Sequence, residues 1–220
     1  MAPPSKRAEQ GRATRDALIV AARKEFARQG YANASVDDIV RLADVTKGAF
    51  YHHFSGKEDL FLRVFENVKK ELSRGAFITH AEHQPFAQDE NHVLHLKRFT
   101  EQTNEEIWAE LRSRCRRYIE LHSDASIRQI VLVDARWVLS WETWQRVERE
   151  YGVTLLRADL RRAMQRGIIR RLPLTTLAAI IVGALNEACL LVANAADSDE
   201  ALDEAMSVIE PMLNGLIVDA

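Results

Sequence analysis

The run Thr46-Lys47-Gly48-Ala49-Phe50-Tyr51-His52-His53-Phe54 holds residue types that can grip a nucleic acid. Lys47 carries a full positive charge, Thr46 a hydroxyl, and Tyr51, His52 and His53 bring ring O–H and N–H groups that reach phosphates or base edges. Gly48 and Ala49 are small, so a helix bearing them can lie close to a duplex. Phe50 and Phe54 are four apart, share one helix face, and are expected to point inward. The run lacks Arg, Asn and Gln, the side chains that make bidentate base contacts, so no preferred base sequence is legible in it.

Two neighbouring elements position this run. Ser35-Val36-Asp37-Asp38-Ile39-Val40-Arg41-Leu42-Ala43 reads as a short amphipathic helix with a capping-box-like start, Ser35-x-x-Asp38. Asp44-Val45 leaves room only for a tight turn. Thr46 then serves as the N-cap of the next helix. Two short helices joined this way form a helix-turn-helix, whose second helix enters the major groove. Upstream, a helix is expected from Thr14 to Gln29, with Leu18, Ala21, Ala22 and Phe26 as its apolar stripe and Gly30 as its stop. Downstream, Ser55-x-x-Glu58 predicts a fourth helix starting near Gly56. That places Lys57 at a helix N-terminus facing the nucleic acid, where ammonium and backbone N–H groups would bind a phosphate together.

These residues resemble the N-terminal domain of the tetracycline-repressor (TetR) family of transcriptional regulators. The matching pattern is Ala21-Ala22, Phe26, Gly30-Tyr31, Ser35-x-x-x-Ile39-x-x-x-Ala43, Val45-Thr46-Lys47-Gly48-x-x-Tyr51-x-His53-Phe54 and Lys57-Glu58-x-Leu60. The resemblance implies a homodimer on a palindromic operator, released when a small molecule binds the C-terminal domain. It also favours Tyr51 and His53 as DNA contacts. The expected DNA-binding set is Ser35, Thr46, Lys47, Gly48, Tyr51, His52, His53 and Lys57.

Charge distribution agrees with a DNA-binding head. Residues 1–75 hold 14 Lys+Arg against 10 Asp+Glu, a net +4, whereas the remainder holds 16 against 22, a net −6. Residues 1–13 lack an apolar core and read as a flexible arm, not a signal peptide. Cys115 and Cys189 are far apart in helical, partly apolar stretches and read as buried thiols of a reducing, cytoplasmic compartment. The motifs G-x-x-x-x-G-K, H-E-x-x-H, G-x-S-x-G and C-x-x-C are absent, so no enzyme and no cofactor is expected. The competing reading is a helical small-molecule-binding protein or enzyme without operator-specific DNA binding.

Long alternating runs are missing and helical periodicity dominates, so the fold class is all-α. We expect a flexible arm over 1–13, a three-helix helix-turn-helix domain over 14–56, and a larger helical ligand-binding and dimerisation domain over 57–220, with the fourth helix as connector. Residues 174–196 are nearly all apolar, but Asn186-Glu187 in their middle argues against a membrane span. With residues 199–218 they are expected to form a four-helix bundle with a second copy. A small hydrophobic or aromatic effector is expected among Phe99, Trp108, Tyr118, Asp134, Trp137, Trp141, Trp144, Asn186 and Glu187. Arg136 and His122 are further polar candidates. His80-x-x-His83 and His92-x-x-His95 have ligand spacing for zinc or nickel, yet they flank the least regular stretch and read as solvated.

Overall fold

The structure, a computed structural model, describes residues 6–77 and 102–218. Among them the fold is all-α, with one isolated antiparallel bridge between Ile169 and Ile217. His80, His83, His92, His95 and Phe99 lie outside the described residues. Contacts divide the chain into two compact units, Met1–Lys69 with Ala125–Gln145, and Lys70–Asp124 with Arg146–Ala220.

The first unit contains α1 (Lys6–Asn33), α2 (Val36–Leu42), α3 (Lys47–His53) and the first part of α4 (Lys57–Phe77). Residues from Lys6 onward belong to α1, which corrects the expected arm over 1–13. Thr14 is not an N-cap: it lies within the helix, and its hydroxyl donates to the Gln10 carbonyl at 3.0 Å. Gly30 interrupts the helix where expected, at φ 76°, and a short helical segment follows it to Asn33. Only glycine takes that conformation cheaply. The core is aromatic: Phe26, Phe50, Phe61 and Phe65 are fully buried with Leu18, Ile39 and Leu60.

The same unit takes in α6 (Ala125–Arg128), a π-helical stretch (Gln129–Asp134), α7 (Ala135–Val138) and the start of α8 (Trp141–Val147). The Asp134 carboxylate accepts the Tyr31 N–H at 2.8 Å and the Gln129 amide at 3.1 Å, beside the Gly30 kink. This compact unit runs on to Lys69, past the boundary expected between residues 56 and 57, and takes in residues 125–145.

The second unit contains the rest of α4, α5 (Asn104–His122), a second π-helical stretch (Glu148–Val153), α9 (Thr154–Gln165), α10 (Leu174–Asn194) and α11 (Ser198–Asn214). Thr103 opens α5 through a full capping box with Glu106, at 3.1 and 2.7 Å. α10 packs on both α11 and α5, burying Ala178, Val182, Leu185, Cys189 and Val192.

Candidate nucleic-acid interface

The helix-turn-helix forms as its caps dictate. The Ser35 hydroxyl accepts the Asp38 N–H at 3.0 Å and donates to the Asp38 carboxylate at 2.6 Å. The Thr46 hydroxyl accepts the Ala49 N–H at 3.1 Å. A hydroxyl that accepts one bond can still donate another, so Thr46 keeps its proton for an outside acceptor. Asp44 makes the turn at φ 53°, a left-handed conformation that aspartate tolerates better than most residues.

Opposite faces of α3 then separate packing from recognition. Phe50 and Phe54 are buried with ring centroids 5.8 Å apart, which pins the inner face. Thr46, Lys47, Gly48, Tyr51 and His52 are exposed on the other. The Tyr51 ring meets Phe50 edge-on at 5.0 Å, so its orientation is fixed while its hydroxyl end stays in water. Lys47 Nζ sits 2.8 Å from the Asp37 carboxylate, whose hydrogen bond and charge hold the ammonium above the usual lysine range.

His53 is half-buried, 5.1 Å from the His52 ring, and the Arg15 guanidinium lies 5.6 Å from the neighbouring Phe54 ring. Burial first, then the charges of His52 and Arg15, holds the His53 imidazole below the ordinary histidine range. A base with a depressed folded-state pKa resists protonation. Stability is therefore intact above the unfolded pKa of about 6.5 and declines as the pH falls through that value. His53→Gln is expected to flatten the decline in unfolding temperature as the pH falls below about 6.5. An unchanged pH profile in the variant would show that His53 carries none of it.

Two expected contacts change role. Lys57 turns inward: its Nζ donates to the carbonyls of Tyr31 at 2.8 Å and Ala34 at 2.9 Å, and it lies 4.2 Å from the Tyr31 ring centroid. Desolvation lowers its pKa, with Asp134 opposing. It ties α4 to the end of α1 instead of facing a phosphate, because those carbonyls fall within reach of its stem. Ser55 bonds Asp59, at 3.0 Å through its N–H and 3.4 Å through its hydroxyl, where Glu58 was the expected partner. Asp37, the partner of Lys47, carried no readable signal, since the pair bridges two helices.

The expected effector residues divide between the units. Trp137 and Trp141 are exposed, Trp141 stacks on Trp144 at 5.2 Å, and Asp134 is committed to Tyr31. All four belong to the unit that holds α3. In the second unit Glu187 is exposed on α10, whereas Trp108, Tyr118 and Asn186 are buried. The Tyr118 hydroxyl donates to the Asn186 side-chain oxygen at 2.8 Å, and Trp108 Nε1 donates to Asn214 at 3.0 Å. His122, fully buried, lies with its ring tilted against Tyr118, centroids 4.1 Å apart, and with Nδ1 2.7 Å from the Tyr118 carbonyl. Burial raises the Tyr118 pKa well above its ordinary value, with Glu148 and Cys189 adding to it. Both cysteines are buried free thiols, and burial ahead of Asp159 pushes Cys115 up to about 12, which makes it inert.

The exposed sides of α10 and α11 mix apolar residues with charged ones such as Glu187, Asp203 and Glu204. Ile180, Leu191, Val208 and Met212 are exposed, and Ile180 and Met212 line a groove floored by Ile181, Leu185, Ile209 and Leu213. α10 is the one described helix long and apolar enough to cross a membrane, and half of its most apolar stretch is buried within the subunit.

Comparison with known proteins agrees with this architecture. Residues 18–64 match the family described as "Bacterial regulatory proteins, tetR family", and residues 108–216 match "Tetracyclin repressor-like, C-terminal domain". The Transposon Tn10 TetC protein of Escherichia coli is 27% identical over 143 residues, covering 65% of this chain and 61% of that protein. The probable acrEF/envCD operon repressor of Escherichia coli (strain K12) is 36% identical over 77 residues, covering 34% of this chain and 35% of that protein. The chain thus aligns with only about a third to three fifths of these relatives' lengths. The crystal structure of a TetR-family transcriptional regulator from Pectobacterium atrosepticum superposes with a TM-score of 0.71 at 28% identity, covering 98% of this chain and 99% of that one. Helix-turn-helix, helical second unit and both matches converge: the chain belongs to the TetR family of bacterial regulatory proteins.

Proposed function

We propose that the protein is a ligand-responsive transcriptional regulator of bacterial genes, a repressor that binds a palindromic operator as a homodimer and is released by a small hydrophobic effector. The observation that supports this most directly is the two-faced α3, with Phe50 and Phe54 buried while Thr46, Lys47, Gly48, Tyr51 and His52 face water. The second copy is assigned to the apolar groove that Ile180 and Met212 line between α10 and α11, so the bundle is completed between subunits and α10 has no need of a membrane. Cytoplasmic placement follows from the partner, chromosomal DNA.

Release is a population shift. The effector favours a body conformation in which the two heads no longer match the operator spacing, and it acts only through its differential affinity for the two states. Trp108, Tyr118 and Asn186 are the body residues retained from the expected effector set. Family membership supports a regulator over a catalyst, and no catalytic step is assigned.

Selection of bound duplexes from a random pool tests the reading. A recovered inverted repeat is expected. On that duplex, Lys47→Ala and Tyr51→Ala should each weaken binding by roughly five- to tenfold, as loss of one backbone contact does. Recovery of no preferred sequence, together with undiminished binding by the double variant, would overturn it.

A further inference from the structure

The two Lys and Arg side chains of α2 and α3, Arg41 and Lys47, are both held by carboxylates of α2. Arg41 pairs with Asp38, and Lys47 with Asp37 across the two helices at 2.8 Å. The two aspartates differ in what else they do. Asp38 is part of the fold, since its N–H and carboxylate both bond the Ser35 cap. The Asp37 side chain is 71% exposed and that of Lys47 54%, so this pair stands in water beside the recognition residues of α3.

A carboxylate oxygen and a phosphate oxygen offer an ammonium the same acceptor chemistry. We infer that Asp37 is a built-in competitor of the DNA backbone: it holds Lys47 in the free protein, must release it when a phosphate arrives, and so restrains affinity on every sequence. After the exchange the carboxylate faces the incoming phosphate at close range, and the like charges add to the restraint. Because both parts are Coulombic and exposed, salt screens them. Because neither reads a base, the restraint falls equally on preferred and random duplexes.

This rests on the DNA-binding reading of α3, and the experiment separates the two. Full-length wild type, Asp37→Asn and Asp37→Glu are titrated by fluorescence anisotropy against the selected duplex and a random one, from low to high salt. Asp37→Asn should bind both duplexes about fivefold more tightly at low salt, the upper range of an exposed ion pair. The gain should fade as salt rises, and Asp37→Glu, which keeps the charge, should show none. In a Lys47→Gln background the gain should shrink, since no ammonium is left to release. Asp37→Asn binding as wild type does, or more weakly, would overturn the inference, the second outcome making Asp37 a positioner of Lys47. If Lys47→Ala weakens binding while Asp37→Asn does not strengthen it, the competitor falls and the DNA reading stands. If wild type binds neither duplex, both fall.

Discussion

Replacing Phe61 with alanine is expected to cost the head about 3–5 kcal/mol, the range for truncating a buried aromatic side chain. Phe61 is fully buried and meets two rings edge-on, Phe26 at 5.2 Å and Tyr31 at 5.2 Å. Each such pair contributes about 0.5–1.5 kcal/mol beyond the area it buries. The loss does not stop at the cavity. Tyr31 carries Lys57 on its ring, and Lys57 satisfies the carbonyls that end α1, so loosening the aromatic triad loosens the joint between α1 and α4. Against a typical total of about 5–15 kcal/mol for a domain, that is enough to leave the helix-turn-helix partly unfolded. Denaturant unfolding of the full chain measures it, with Phe61→Leu as a milder control that keeps most of the volume. A loss below about 1 kcal/mol for Phe61→Ala would mean that the site collapses around the gap and that the head is not organised on this ring.

Much of the head was legible because its signals are local. The four-residue spacing of Phe50 and Phe54 gave the inner face of α3, and Thr46 and Ser35 gave the caps, since each acts on a backbone N–H three residues away. Thr103-x-x-Glu106 carries the same kind of signature and marks the start of α5, where hydrophobic periodicity alone blurs the boundary. Lys57 was misjudged because its partners lie 26 and 23 residues earlier, and a long flexible side chain at a helix start can face water or fold back. The tryptophans divide between the units for a related reason. Four indoles within residues 108–144 look like one aromatic site, but composition does not say which unit each stretch packs on. The segment 125–145 joins the head through contacts with α1, anchored by Asp134 over 103 residues of sequence separation, and carries three of the four with it.

The C-terminal helices were legible as a pair, and their exposed sides support the second large prediction: Ile180→Asp should convert a dimer into a monomer and weaken operator binding by roughly a hundredfold or more. Ile180 is 61% exposed and Met212 is 55% exposed, so an aspartate at either position meets water in the isolated subunit and leaves its core intact. In a dimer closed over this groove the same carboxylate is buried without a partner, on both copies by symmetry, which a bundle of this kind does not tolerate. DNA binding falls with assembly because the second head loses the high effective concentration that tethering to the first provides. Val20→Asp, which also replaces an exposed apolar residue, but on α1, is the matched control and should leave assembly unchanged. Sedimentation velocity gives the mass and anisotropy gives the affinity. A dimer that survives Ile180→Asp combined with Met212→Asp would place the two-fold axis elsewhere. Loss of the dimer with operator affinity intact would instead mean that a single head suffices, and that the duplicated recognition helix is not what selects the site.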